Sequence, residues 1–268
     1  MAIRAADTRH GKTLYLDCQA GIAGDMLVAA LLDLGGKPAL GRLTQMLEKL
    51  SLEGFSVAVT RVKKAGIDCC DFDVKLGVAH ENHDHDMAYL HGLGDTSHDH
   101  DHDHDHDHDH DHDHDYDHHH AHRGLAQVEQ VIDAAPLSDR ARGLARDAFR
   151  ILARAEAKAH GLPIDQVHFH EVGAVDSIVD VLAAAFLIDD LDIERAIVPA
   201  LTDGHGTIRC QHGVIPVPVP ATLNICIAHS LPLSSSSVEG ELVTPTGAAL
   251  VAALEPEFSL PERYAIRA

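Results

Sequence analysis

The first part of the chain alternates apolar blocks with small or polar residues, which predicts a strand, a turn and two helices. Residues 13–17 form a short apolar strand, and the small residues at 20–25 form a turn behind it. Asp25 then caps an apolar helix, because acidic side chains favour helix N-termini. That helix ends at the glycine pair 35–36, and Pro38 begins a second one.

Two later stretches show the alternation that is typical of half-buried strands. Phe55, Val57 and Val59 alternate within residues 55–62, and Phe72, Val74 and Leu76 alternate within residues 72–76. Ala65 and Gly66 lie between the two stretches and supply a turn. We therefore predict a β-hairpin here.

From residue 124 onward the apolar residues recur at helical spacing. A first helix covers residues 125–132, and Ser138 caps a long second helix that His160 and Gly161 close. Both helices have one apolar face, so they should pack against a common core.

Short extended pieces and two further helices complete the chain. Residues 165–171, 197–200 and 206–209 have the pattern of short strands. Asp176 opens one more helix, and Thr246 caps the last. Because strands and helices alternate only loosely, the prediction is an α/β or α+β fold with a mixed sheet and packed helices.

Residues 78–122 interrupt this pattern with sequence of low complexity. Residues 98–115 are nine consecutive His-Asp pairs, which have no apolar face to offset the entropy cost of ordering. We therefore expect a disordered His/Asp-rich insertion that divides one fold into residues 1–77 and 123–268.

The negative charge is concentrated in the same insertion. The chain has 21 basic and 42 acidic residues, a formal net charge of −21. Residues 80–122 hold thirteen Asp and one Glu without Lys or Arg, so the rest of the chain carries only −7. A polyanion repels phosphate backbones, which argues against a nucleic-acid-binding protein.

Other features favour a cytoplasmic protein that does not enter a membrane. No apolar run approaches the ~18 residues that a membrane span needs, and the first fifteen residues lack the pattern of a signal peptide. The five cysteines show no CxxC spacing, which is typical of a reducing compartment.

The His-Asp repeat is the plainest candidate for metal binding. Imidazole is a common ligand of nickel, zinc and copper, and the neighbouring carboxylates attract cations. A flexible string of ligands offers many weak sites, which suits capture or buffering; the alternative is repeat slippage without a role. The candidate ligands are His98, His100, His102, His104, His106, His108, His110, His112 and His114.

A second candidate metal site combines two histidines at positions i and i+2 with an acid. In an extended segment His168 and His170 project to the same side, with Cα atoms about 6.6 Å apart, and Glu171 follows directly. His205 and His212 lie in glycine-flanked turns that could face this cluster. The alternative is a set of polar turn residues that bond to the backbone.

The turn after the first strand could hold an anion or a cation. Gly21 and Gly24 would let a ligand approach the backbone, and free N–H groups at a helix start favour a phosphate. Asp17 and Asp25 bracket the turn, which suggests a magnesium-like or nickel ion beside it. A tight strand-to-helix turn without a ligand explains the pattern equally well.

The start of the last helix is a weaker candidate of the same kind. Thr244, Thr246 and Gly247 could together hold a phosphate at the helix N-terminus. Helix capping is sufficient to explain these residues and is the preferred interpretation.

Five segments together resemble the LarC family of nickel insertion proteins. They follow in order over nearly the whole chain, and the third is the most specific; a histidine-rich insertion also suits the family. The segments are residues 14–26 (LYLDCQAGIAGDM), 155–158 (AEAK), 167–177 (VHFHEVGAVDS), 212–218 (HGVIPVP) and 241–248 (ELVTPTGA).

The resemblance implies an enzyme of cofactor biosynthesis, a cyclometallase of the lyase class. In the family, Ni²⁺ is inserted into pyridinium-3,5-bisthiocarboxylic acid mononucleotide, the precursor of the nickel-pincer cofactor of lactate racemase. CTP is hydrolysed to CMP and pyrophosphate, with Mg²⁺ or Mn²⁺, through a carboxy-terminal nucleotide-binding domain that this chain lacks. The implied partners are therefore a separate CTP-binding subunit, the lactate racemase apoprotein and further copies of the chain.

The resemblance also suggests roles for the candidate residues. Glu171 and Asp176 would act in catalysis, with Glu171 or a histidine removing the proton from the pyridinium carbon. His168, His170 and Glu171 would hold nickel, assisted by His205 or His212. Asp17 and Asp25 would bind a second cation or position the mononucleotide, and the cofactor-binding set would be Gly21, Gly24, Asp25, Thr244, Thr246 and Gly247.

Two other classes of function stay open at this point. One is a non-catalytic nickel or divalent-metal chaperone or storage protein that relies on the His-Asp repeat. The other is a metal-dependent hydrolase built on the His168 cluster, although the sequence has no HExxH motif.

Overall fold

The computed structural model describes residues 11–77, 124–167, 175–210 and 212–266, and within them six α-helices and eight strands follow one another. The helices are α1 (Gly24–Leu47), α2 (Leu125–Ala134), α3 (Asp139–His160), α4 (Val175–Asp190), α5 (Pro220–His229) and α6 (Pro245–Ala253). The strands are β1 (Lys12–Tyr15), β2 (Phe55–Lys64), β3 (Ile67–Leu76), β4 (Ile193–Ile197), β5 (Leu201–His205), β6 (Thr207–Cys210), β7 (Gly213–Pro216) and β8 (Leu233–Glu239). The prediction of a mixed fold of helices and strands, α/β or α+β, is confirmed. The predicted disordered insertion at 78–122 lies outside the described residues.

Helix α1 is bent where the sequence predicts a break. Gly36 has φ 63° and ψ −162° inside the helix, and Pro38 follows it. Glycine tolerates this conformation, and a proline without an N–H fits just after such an interruption. The prediction that Asp25 caps the helix is wrong, because Ala23 is the N-cap residue and Asp25 lies in the first turn.

Helix α4 forms the centre of the core. Its sequence is apolar on nearly every side, and ten of its residues, from Val175 to Ile188, are buried. A helix that is apolar all round must be enclosed by other elements. It packs against α1, α3 and α6 and also touches β3 and β4.

Helix α3 has the two ends that the sequence predicts. The Ser138 hydroxyl accepts a hydrogen bond from Ala141 N–H, and Gly161 ends the helix in the left-handed conformation. Arg150 pairs with Glu129 of α2 at 2.7 Å. The cap and the glycine set the two ends of α3, and the ion pair links α3 to α2.

The strands form four two-stranded units rather than one broad sheet. β1 pairs in parallel with β4, and β5 pairs in parallel with β8. β2 pairs with β3 and β6 with β7 in antiparallel hairpins. A parallel bridge between Cys18 and Leu201 continues the β1–β4 pairing towards β5.

Three elements of the second half differ from the sequence predictions. Residues 164–166 form a 3₁₀ turn, so an extended segment from 165 onward is wrong at its start. Helix α5 and strand β8 have no counterpart in the sequence predictions. The β2–β3 hairpin turns at Ala65 and Gly66, as predicted, with positive φ angles of 51° and 83°.

Candidate functional site

The turn after β1 and the segment before α6 are joined by backbone pairing. Ile22 N–H donates to the carbonyl of Leu242 at 2.9 Å, and Thr244 N–H donates to the carbonyl of Ile22 at 3.1 Å. These bonds form a parallel bridge between Ile22 and Val243. Two segments that the sequence marks separately as phosphate or cation sites therefore lie side by side, although they come from opposite ends of the chain.

The glycines predicted to approach a ligand instead allow the protein to pack closely against itself. Gly21 has φ +84°, and a Cβ there would lie 2.0 Å from a backbone carbonyl oxygen of the segment before α6. A Cβ on Gly247 would lie 2.3 Å from the carbonyl oxygen of Ile22, and one on Gly24 would lie 2.8 Å from Asp180 Oδ2. That a ligand also contacts these glycines stays a prediction.

Thr244 is the cap of α6. Its hydroxyl accepts a hydrogen bond from Gly247 N–H at 3.1 Å, and Pro245 occupies the first helical position. The prediction of Thr246 as the cap is therefore wrong by two residues. Thr246 lies in the first turn and is buried, and its methyl group is 3.1 Å from where a Cβ on Gly24 would sit.

Three carboxyl groups gather where α1 and α4 begin. Asp176 and Asp180 are one turn apart on α4 and so lie on the same face. Asp25 N–H of α1 donates a hydrogen bond to the carboxylate of Asp180. Asp180 Oδ1 is buried and has no hydrogen-bond partner among the described residues. The structure thus places Asp25 and Asp176, which the sequence singles out separately, around a third acid.

Burial and neighbouring charges raise the pKa of two of these acids. Burial raises the pKa of Asp180 well above its ordinary value, and the charges of Asp25 and Asp176 raise it further. Burial likewise raises the pKa of Asp25, opposed by Met26 N–H and by the ammonium group of Lys64. Like charges this close favour binding of a proton or a cation.

Asp180 is a candidate that the sequence predictions missed. The only signal in the sequence is an acid four residues after Asp176, within the otherwise apolar run of α4. An acid on a helix that is buried on all sides requires compensation, because burying a charge is costly.

Asp203 on β5 is a second acid that the predictions missed, and it holds the segment before α6 in place. It is fully buried, and its Oδ1 accepts hydrogen bonds from the N–H groups of Gly204 at 2.8 Å, Leu242 at 2.8 Å and Val243 at 3.1 Å. Its role is to connect β5 to the site. The only signal in the sequence is an acid directly before a glycine, Asp203-Gly204.

Three other predicted ligands have different positions. Asp17 is exposed just after β1. Burial of the Cys18 thiol raises its pKa to about 11, and the negative charge of Asp17 contributes to that rise. His205 is exposed at the end of β5, where it pairs in register with Glu239. His212 lies in the β6–β7 turn, with its ring centroid 4.9 Å from that of His160.

The remaining predicted ligands lie outside the described residues. They are His168, His170, Glu171 and the nine histidines of the repeat from His98 to His114. Residue 171 is four positions before the start of α4. Among the described ranges, no three His, Cys, Asp or Glu side chains already surround one point as metal ligands. Nor does any helix within those ranges have the length and apolar character needed to cross a membrane.

The structure is a mixed α/β fold in which the N-termini of α1 and α6 lie beside a cluster of acids. Comparison with known proteins makes this class specific. The family model described as nickel insertion protein matches residues 14–268. This chain belongs to the nickel insertion protein family.

Curated relatives agree with this assignment. A pyridinium-3,5-bisthiocarboxylic acid mononucleotide nickel insertion protein of Alkaliphilus metalliredigens is 45% identical over 257 residues, covering 95% of this chain and 55% of the relative. Proteins of the same name are 40% identical over 241 residues in Geobacillus kaustophilus (90% of this chain, 50% of the relative) and 38% identical over 247 residues in Acetivibrio thermocellus (92% and 53%). The chain spans about half the length of the curated relatives it matches. No solved structure matches it.

Proposed function

We propose that this chain inserts nickel into pyridinium-3,5-bisthiocarboxylic acid mononucleotide, the reaction that names its relatives. The observation that carries the proposal is the meeting of the turn after β1, the first turn of α4 and the start of α6 at one place. Each of these segments belongs to a stretch that resembles the family.

The charges at this place match the two parts of the reaction. The positive ends of the α1 and α6 helix dipoles favour the phosphate of a mononucleotide. The acids Asp25, Asp176 and Asp180 lie beside them and supply oxygen atoms of the kind that a divalent cation binds. Nickel is the cargo of the reaction, and His168, His170 and Glu171 are its proposed ligands before transfer.

The proposed transfer follows from ligand softness. The thiocarboxylate sulfurs of the substrate are softer ligands than imidazole and carboxylate, so they draw Ni²⁺ away from them. The pyridinium carbon then exchanges its bond to hydrogen for a bond to nickel, and the proton passes to a carboxylate. Glu171 and Asp176 are the candidates for that base.

A nickel insertion assay with Asp176→Asn tests this assignment. We expect the variant to lose about 100-fold or more in nickel incorporation, since a positioned base contributes at least that factor. The matched control is Asp190→Asn, which makes the same change at the other end of α4, where Asp190 pairs with Arg42. Wild-type incorporation by Asp176→Asn would exclude Asp176 from the chemistry, and the His168→Ala/His170→Ala double variant tests the nickel ligands in the same assay.

CTP use forms a separate part of the proposal. We propose that insertion is coupled to hydrolysis of CTP to CMP and pyrophosphate, with Mg²⁺ or Mn²⁺, as the family resemblance implies. The assay is therefore run with CTP, with and without a polypeptide that supplies a CTP-binding domain. Incorporation that depends on that addition supports a two-part enzyme.

The nine His-Asp pairs at residues 98–115 favour a second candidate function, a nickel chaperone or storage protein. Deletion of residues 80–122 distinguishes the two. An insertase without the repeat keeps its turnover at saturating nickel and loses activity only when nickel is scarce. A storage protein instead loses most of its bound nickel, which metal analysis of the purified variant measures.

A further inference from the structure

Four metal-ligating side chains form a row outside the site described above. Cys210 Sγ lies 3.8 Å from His212 Nδ1. The ring centroids of His212 and His160 are 4.9 Å apart, and His160 Nε2 lies 3.5 Å from Glu156 Oε2. One thiol, two imidazoles and one carboxylate thus follow one another in space, although they come from two separate parts of the chain.

The fold holds this row at two fixed points. Glu156 and His160 are one turn apart on the last two turns of α3, which Gly161 ends. Cys210 and Gly213 are paired at the end of the β6–β7 hairpin, so His212 lies in a two-residue turn. The donors are therefore positioned by backbone structure at both ends.

The surroundings of the row favour a cation. The C-terminus of α3 carries the negative end of the helix dipole, next to His160. Cys210 is buried, with 7% of its surface exposed. The side chains of His160 and Glu156 are 29% and 17% exposed. A metal ion could enter from the exposed His212 and bind to a sheltered thiolate.

We propose that Cys210, His212, His160 and Glu156 bind a borderline divalent transition ion of the Ni²⁺, Co²⁺ and Zn²⁺ class. Thiolate and imidazole donors select these ions over Mg²⁺ and Ca²⁺. Ligands of such an ion, with metal–nitrogen bonds of about 2.1 Å and metal–sulfur bonds of about 2.3 Å, lie roughly 3–4 Å from one another. Two of the three separations in the row are already in that range, but the four side chains do not yet surround one point among the described residues. Binding therefore requires His212 and His160 to rotate towards a shared ion.

This site differs from the other candidate metal sites in its chemistry. The repeat at residues 98–115 contains histidine and aspartate but no cysteine. The cluster of Asp25, Asp176 and Asp180 offers only oxygen, which suits harder ions. The proposal rests on the proposed function only for the identity of the physiological metal as nickel.

Cobalt titration of the full chain tests the proposal, because a thiolate bound to Co²⁺ gives an intense near-ultraviolet charge-transfer band that imidazole and carboxylate complexes lack. We expect one equivalent of this band in the wild-type protein, and its removal by added Zn²⁺, which has no such band. Cys210→Ser should abolish the band, while Cys69→Ser on the β2–β3 hairpin should retain it. His212→Gln, a change at an exposed turn residue, should weaken cobalt binding at this site about tenfold or more.

The outcomes separate this site from the repeat and from the insertion reaction. Absence of the band in the wild-type protein, or its persistence in Cys210→Ser, would overturn the proposal. Because the measurement needs neither the mononucleotide nor CTP, a failed insertion assay leaves it unaffected. Thermal unfolding of each variant without metal checks that the fold is retained, and His212→Gln still tests the site if Cys210→Ser unfolds.

Discussion

Replacement of Gly247 by alanine should destabilise the protein, although alanine is normally the better helix former. In an open helical position this change contributes about 0.5–1 kcal/mol of stability. At position 247 the new Cβ would lie 2.3 Å from the carbonyl oxygen of Ile22, 2.7 Å from its carbonyl carbon and 3.1 Å from Ala23 Cα. All three are backbone atoms, so no side chain can rotate away.

The size of the effect follows from what must move. Relief of the contact breaks the two hydrogen bonds that Ile22 makes to the segment before α6, each worth about 1 kcal/mol. Overpacking adds about 1–3 kcal/mol. After the gain in helix propensity is subtracted, we expect a net loss of about 2–4 kcal/mol, or a fall in Tm of about 5–15 °C for a chain of this size.

Gly143 on α3 provides a matched control. A Cβ there would meet nothing within 4 Å, so Gly143→Ala should raise the free energy of unfolding by about 0.5–1 kcal/mol. Urea denaturation followed by circular dichroism measures both variants. If Gly247→Ala proves as stable as Gly143→Ala, the close pairing of the turn after β1 with the start of α6 is wrong.

Two further predictions concern the buried acids. Because the folded protein raises the pKa of Asp180, wild-type stability falls as pH rises from the ordinary aspartate range through that raised pKa. Asp180→Asn has no proton to lose, so its stability relative to wild type should increase over the same pH interval. Urea denaturation midpoints of both proteins at a series of pH values measure this difference. A difference that does not change with pH would show that the carboxyl group is solvated. Asp203→Ala should lower the free energy of unfolding by about 3–5 kcal/mol, because it leaves the N–H groups of Leu242 and Val243 without their acceptor. A loss below about 1 kcal/mol in the same urea assay would show that water replaces the carboxylate.

Local signals predicted those elements whose ends carry strong sequence markers. Ser138 and Gly161 bracket α3 as expected, and the turn at Ala65 and Gly66 joins β2 and β3. In each case the decisive interaction joins residues close in sequence, so the pattern alone contains it.

Elements whose stability comes from distant partners were missed. Helix α5 begins at Pro220 directly after a proline-spaced run, which hides its start. Strand β8 has the sequence LSSSSVE, with little apolar alternation, and exists because it pairs with β5. Tertiary pairing overrides propensity in such segments.

The sequence singled out several residues of the candidate site, but it did not predict that they lie together. Asp25, Asp176, Thr244 and Gly247 were all singled out from sequence, yet no local rule brings the two ends of the chain together. Asp180 was missed because its importance depends on Asp25 lying opposite it on another helix. The packing of α1 against α4 brings these two acids together, and the bridge between Ile22 and Val243 brings the start of α6 beside them.

That bridge also determines when this pairing can form during protein synthesis. Ile22 and its backbone partners Leu242 and Thr244 are separated by about 220 residues of sequence. Contacts of such high sequence separation form late and slowly. A nascent chain therefore cannot pair the turn after β1 with the start of α6 until residues 242–244 have emerged.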